Sequence, residues 1–198
     1  MQTTTNMGKQ AQTQRPVHAL IRQRWSPRSF TGEPVSTEVL EQLFEAASWA
    51  PSAFNEQPWS YLYAHREDEA AFGQMLDCLF EGNRSWAANA GVLILSLAAP
   101  NLSANGKPNR HYMHDTGAAN NSLLLEATAN GLYGHMMGGF DAKAAISAFS
   151  LPETVEPVCF IALGHLGSPE QLPEPLRSRE EAARSRKPVL SFTQNLGA

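Results

Sequence analysis

The stretch that decides the fold is residues 115–131, DTGAANNSLLLEATANG. Asp115 reads as an N-cap and Gly131 as the residue that closes the C-terminal end, so the spacing predicts one long helix through Asn130. Ala118, Ala119, Ser122 and Ala129 make one side small, and Leu123, Leu124 and Leu125 add bulk beside it. A helix of this kind packs closely on two sides, as a helix buried between subunits must.

Upstream of it, residues 101–110 are polar, with Gly106 and Pro108, and read as an exposed loop. Residues 91–97 are almost wholly apolar and read as a buried strand. The run from Val92 to Pro100, interrupted by Ser96, is too short to cross a bilayer. Residues 67–80 read as a helix, and residues 59–63 as a strand by their aromatic content. Ser36 is an N-cap with Glu38 in the first turn. Val39, Leu40, Leu43, Ala46, Ala47 and Ala50 follow at helical spacing, and Pro51 stops the helix. A short helical pattern covers residues 17–23. Downstream of the long helix, Gly138 and Gly139 break the chain, Asp141 caps a short helix to Phe149, and residues 158–163 form a second buried strand. Helices outnumber strands, and neither GxGxxG nor a Walker loop is present. The expected class is an α+β layer fold rather than a Rossmann fold.

With 198 residues the chain suits one domain with extensions. A net charge of −4 offers no case for nucleic acid or an anionic membrane as partner. Cys78 and Cys159 lie in apolar runs without metal-ligand spacing, and read as buried free thiols of a soluble protein in a reducing cytoplasm. Residues 1–15 are rich in Gln and Thr and lack the apolar middle of a signal peptide, so a disordered arm is expected there, ahead of a single domain at 16–198. Within it, the tail at about 168–198 is charged and Pro-rich, ends in the apolar residues 189–192, and needs something to lie against.

Three segments could carry chemistry. Arg24, Ser26 and Arg28 group guanidinium and hydroxyl donors suited to a phosphate, although clustered arginines are also common on surfaces. Residues 51–59, PSAFNEQPW, form a proline-rigidified loop with amide side chains, which either lines a flat polar ligand or is purely structural. Residues 137–141, MGGFD, let the backbone approach a ligand and offer bare N–H groups, or make a simple turn. His111, His114 and Asp115 have helical metal spacing, but no further ligand set follows, so a helix start is the preferred reading and no metal is expected. His135 reads as a packed histidine.

In order and spacing, these segments resemble the FMN-dependent nitroreductase family. The likeness runs from about Ala19 to Phe192, through RWSPRSF at 24–30, APS at 50–52 with Asn55, QPW at 57–59, DTGAA at 115–119, GGFD at 138–141, ALG at 162–164 and RSRKP at 184–188. The resemblance implies a nitroreductase-like α+β fold, with a central, mostly antiparallel sheet flanked by helices in an intertwined homodimer. It implies that Arg24 and Ser26 hold the FMN phosphate from one side and Arg184 and Arg186 from the tail, which extends over the partner. Arg28 would lie near N1 and O2 of the flavin, where a cation stabilises the anionic reduced ring. Asn83 would bond the pyrimidine edge. Pro51, Ser52 and Ala53, with Asn55 nearby, would cover the ring from the other subunit, and the Gly139 N–H would point at N5. Two positions depart from the family pattern. Trp25 in the phosphate segment stands where Arg or His is frequent, and Gly138 where an acidic residue is often found. The segment between the 91–97 strand and Asp115 is also short for a lid.

The implied activity is transfer of two electrons from NADH or NADPH, by way of FMN, to a nitroaromatic, quinone or similar electron-poor small molecule in a ping-pong scheme. The resemblance reaches the scaffold and stops short of the acceptor. Dehalogenation, ene reduction, flavin breakdown, and an FMN carrier or sensor without turnover stay open.

Overall fold

The computed structural model describes residues 9–197. One four-stranded sheet organises it, with strand order β1-β2-β4-β3 and every neighbouring pair antiparallel. The strands are β1 (Trp59–His65), β2 (Val92–Ala98), β3 (Tyr133–Met137) and β4 (Glu156–Gly164). All seven residues of β2 are buried, as a central apolar strand with both faces covered requires.

Alternation sorts the side chains into two cores. Leu93, Leu95, Leu97, Phe160 and Ala162 face one side, together with Phe72, Met75 and Trp86. Val92, Ile94, Ile161 and Leu163 face the other, with Leu40, Leu43, Leu123 and Leu124. The first layer is supplied by α3 (Glu69–Asp77), α4 (Glu81–Ala87) and α6 (Ala142–Ala148), and the second by α2 (Thr37–Ser48) and α5 (Tyr112–Ala129). Ser36 and Asp141 cap α2 and α6 as expected, and the short α1 (Ala19–Gln23) matches its pattern.

Several expectations are corrected. The long helix starts at Tyr112, with His111 before it and no side-chain cap, so Asp115 lies in the first turn and not at the N-cap. Residues 67–80 carry a shorter helix than expected, capped by Asp68, and a separate helix, α4, follows from Phe80. β3 has no counterpart in the sequence reading. Residues 1–8 of the expected disordered arm lie outside the described residues, but Lys9 is 8% exposed and its Nζ donates to the Ala182 carbonyl at 2.6 Å. Disorder therefore does not extend to Lys9.

The tail is corrected in part as well. Leu172 and Glu180 are buried in their own subunit, and the Ser29 hydroxyl donates to the Ser168 carbonyl at 2.6 Å. A seventh helix, α7 (Leu176–Glu181), lies in this stretch. Val189, Leu190, Phe192 and Leu196, by contrast, stay exposed. The stretch around Leu172 and Glu180 thus packs within its own chain, and the last described residues make no comparable core.

Candidate functional site

The turn after α1 carries Arg24, Trp25, Ser26 and Arg28, and the tail after α7 carries Arg184 and Arg186. The structure brings these six residues around one open pocket with about 570 Å³ of empty space, together with Lys9, Arg179 and Glu180. Glu180 ties the two segments together. Its Oε1 accepts the Arg28 N–H at 2.9 Å and the Ser29 N–H at 3.2 Å, and Oε2 accepts the Arg28 N–H at 3.1 Å. Its hydrogen bonds go to backbone donors, and among the described residues it forms no salt bridge with the guanidinium groups. Arg184 Nη1 donates to the carbonyls of Lys9 and Arg22, each at 2.9 Å, which fixes its direction. Arg24 Nη1 stands 3.5 Å from Ser26 Oγ. Trp25 is buried, edge-on to Tyr133 at 6.3 Å, with Lys9 Nζ 5.0 Å above its ring.

Like charges crowd this pocket. Burial, and then the neighbouring Arg186, lowers the Arg24 pKa. Burial, then Arg24 and Arg186, lowers that of Arg184. Converging cations with hydroxyl and backbone donors, and little negative charge to offset them, suit a small polyvalent anion such as a phosphate monoester.

A second group forms where α4 meets the turn after β3. Asn83 Nδ2 donates to the Gly139 carbonyl at 3.0 Å, and the Phe80 N–H reaches the same oxygen at 3.2 Å. The Asn83 side-chain oxygen and, among the described residues, the Gly139 N–H take no protein partner. A Cβ on Gly139 would lie 2.7 Å from Asn83 Nδ2, so a side chain there would displace the Asn83 amide. Gly138 precedes it with open space around its Cα.

The strand β3 connects the two groups. At one end Tyr133 packs on Trp25, and beyond the other lies Gly139, no more than about 20 Å away at the rise of a strand. Between them, His135 Nδ1 donates to the Pro27 carbonyl at 2.8 Å, so the other ring nitrogen is bare in the neutral form. Trp86, one turn beyond Asn83 on α4, packs on that ring at 4.7 Å. Burial pulls the His135 pKa down to about 4, the bond to Pro27 opposes this, and the Arg28 charge adds to it.

Pro51, Ser52, Ala53 and Asn55 are not brought to this cleft within one chain. Their loop leads into β1, the sheet edge opposite β3. Phe54, Asn55 and Gln57 all hold left-handed backbone angles, with φ of 56°, 58° and 47°. Such angles need outside support. Asp115 supplies it: its Oδ2 accepts the Ala53 N–H at 2.9 Å, and its Oδ1 lies 2.9 Å from His114 Nδ1. Burial raises the Asp115 pKa, but the bonds to His114 and Ala53 outweigh it and hold the carboxyl below its usual range. Trp49 and Phe54, beside this loop, are 80% and 87% exposed.

Three residues of this arrangement escaped sequence reasoning. Lys9 lies in a Gln- and Thr-rich stretch, Glu180 in a charged run, and the loop anchor Asp115 passed for a helix cap. Only Asp115 left a usable signal, in being a carboxylate beside two histidines.

Comparison with known proteins identifies the family and the fold. The model of a family described as the nitroreductase family matches residues 21–165. A solved structure described as an oxidoreductase containing FMN is 33% identical, with a TM-score of 0.88, and the match covers 99% of this chain and 98% of that one. A structure from Desulfovibrio desulfuricans, described as "a putative nitroreductase in complex with fmn", is 27% identical with a TM-score of 0.72, covering 92% of this chain and 98% of that one. A relative from Archaeoglobus fulgidus, named "Putative NADH dehydrogenase/NAD(P)H nitroreductase", is 29% identical over 157 residues, or 74% of this chain and 83% of that protein.

Proposed function

Because the chain belongs to the nitroreductase family, we propose that it is an FMN-dependent oxidoreductase that takes two electrons from NADH or NADPH and delivers them to an electron-poor acceptor, a nitroaromatic or a quinone. The observation that carries this reading is the convergence of Arg24, Ser26, Arg184 and Arg186 on one pocket, joined by β3 to the open Gly139 N–H.

The residues present fit the cofactor. Arg24, Ser26, Arg184 and Arg186 would hold the phosphate through charge-assisted bonds. Arg28, held by its backbone to Glu180, would place positive charge toward the flavin pyrimidine. The free Asn83 oxygen would accept from that ring's edge. When bound, FMN supplies the redox chemistry by accepting and releasing hydride at N5. The Gly139 N–H would face that atom, and the absence of a side chain keeps it reachable. His135, with its Nδ1 proton committed to the Pro27 carbonyl, would orient the turn that carries Arg28.

The second subunit of a homodimer would bring Pro51, Ser52, Ala53 and Asn55 over the ring, since one chain leaves them at the far sheet edge. The exposed Trp49 and Phe54, and the exposed apolar end of the tail, suit burial in that dimer. Among the described residues, no helix is long and apolar enough to cross a membrane. Cys78 and Cys159, both free and buried, suit the reducing cytoplasm.

The test is oxidation of NADH or NADPH by the purified protein with a nitroaromatic or quinone, with and without added FMN. The reading expects turnover that depends on FMN. Flavin binding without any turnover would leave a carrier, and contradict it.

A further inference from the structure

We propose that Lys9 is a further phosphate-binding residue of the flavin site, delivered by the N-terminal segment and acting beside Arg24, Arg184 and Arg186. The inference rests on the flavin reading above and adds a ligand to it.

Lys9 lies fifteen positions before Arg24, outside every motif of the site, yet it lines the same pocket and is 8% exposed. Three contacts put it there. Its Nζ donates to the Ala182 carbonyl at 2.6 Å and stands 5.0 Å over the Trp25 ring. Its own carbonyl accepts Arg184 Nη1 at 2.9 Å. Two residues on, the Ala11 N–H donates to the Arg22 carbonyl at 2.9 Å. The segment is thus pinned to both halves of the pocket, the turn after α1 and the tail.

An ammonium has three donors. The Ala182 carbonyl takes one and the Trp25 face stabilises the charge. Among the described residues, no carboxylate forms a salt bridge with Nζ. Burial, the largest influence, lowers the Lys9 pKa, with Glu180 and Glu181 opposing and Arg184 reinforcing it. A buried ammonium with no directly bonded carboxylate carries a desolvation cost, and a bound phosphate would offset it. Trp25 contributes no charge at its position, and Lys9, stacked on it, places one there.

The competing account makes Lys9 a structural pin, holding the tail through Ala182 alone. Riboflavin separates the two, because it carries the same ring and lacks the phosphate. The experiment is fluorescence titration of FMN and of riboflavin into flavin-stripped wild type, Lys9→Met and Lys9→Arg. Methionine keeps the aliphatic stem over Trp25 without the charge. Lys9→Met is expected to weaken FMN binding about tenfold or more, the scale of a lost charge-assisted bond, while riboflavin affinity stays within about twofold and Lys9→Arg recovers most of the loss. Equal weakening for both ligands, or no change for FMN, would overturn the role of Lys9. A wild type with no preference for FMN over riboflavin would instead overturn the flavin reading on which it rests.

Discussion

Glu180 holds Arg28 by its backbone: the buried carboxylate accepts the Arg28 N–H at 2.9 Å and 3.1 Å, across 152 residues of sequence. One tail side chain thereby registers Arg184 and Arg186 against Arg24 and Ser26. Replacing Glu180 with Ala leaves the N–H groups of Arg28 and Ser29 buried without an acceptor, each worth about 1–3 kcal/mol. Urea unfolding should show a loss of about 2 kcal/mol or more, with weaker FMN binding, and Glu180→Gln should fall between. Unchanged stability and affinity would refute the tie.

Arg186 is exposed and presses its charge on Arg24, so the proposed phosphate role, and no packing contact, accounts for its place. Arg186→Ala is expected to weaken FMN binding by about 1.5–3 kcal/mol and to leave the stability of the flavin-free protein nearly unchanged. Equilibrium dialysis against FMN measures the first and thermal unfolding the second. A variant that binds FMN as tightly as wild type would remove Arg186 from the phosphate site.

Arg28 is assigned to the ring and not to the phosphate. Removing its charge in Arg28→Ala should make the bound flavin harder to reduce, by about 30 mV for each ~1.4 kcal/mol of lost stabilisation of the two-electron reduced form. Redox titration of the holoprotein reads this directly. An unshifted midpoint potential would contradict the electrostatic role.

His135 gives the site a pH limit. The unfolded chain takes up its proton near pH 6.5, and the folded chain resists until about 4. The folded pKa is depressed, so the stability it governs is full above about pH 6.5 and is lost as pH falls toward 4. The slope cannot exceed about 1.4 kcal/mol per pH unit for this one group. Urea midpoints should fall between pH 7 and 5 in wild type, and less steeply in His135→Gln. Parallel profiles for the two proteins would discard the mechanism.

Asp115 anchors the strained loop through the Ala53 N–H. In Asp115→Ala, the left-handed Phe54, Asn55 and Gln57 lose that support. Hydrogen exchange should rise across residues 51–57 and stay low in β2. If exchange in the loop is unaltered, the anchor lies elsewhere.

What the sequence made legible follows from where local and tertiary forces agree. Ser36, Glu38 and the apolar positions from Val39 to Ala47 specify α2 by themselves, and the apolar runs of β2 and β4 need only each other. β3 was illegible because YGHMM has no alternation and no β-branched residue; its strand form comes from pairing with β4. Gly134, which looks like a breaker, is there because a Cβ would run into Leu124 of α5. α4 was hidden because Phe80 starts it without a side-chain cap. In the site, spacing alone leaves Arg24, Ser26 and Arg28 open between a phosphate site and a surface patch, and Arg184 and Arg186 are named through the order of motifs that the family shares. Glu180 and Lys9 could not be named, since their roles depend on partners more than 150 residues away in the chain.

The central claim is that this fold carries a reducible flavin. The direct measurement is the absorbance spectrum of the purified protein, taken without oxygen before and after addition of NADH or NADPH. Flavin bands that bleach on addition are the predicted result. A protein that shows no flavin bands even after incubation with FMN would contradict the account.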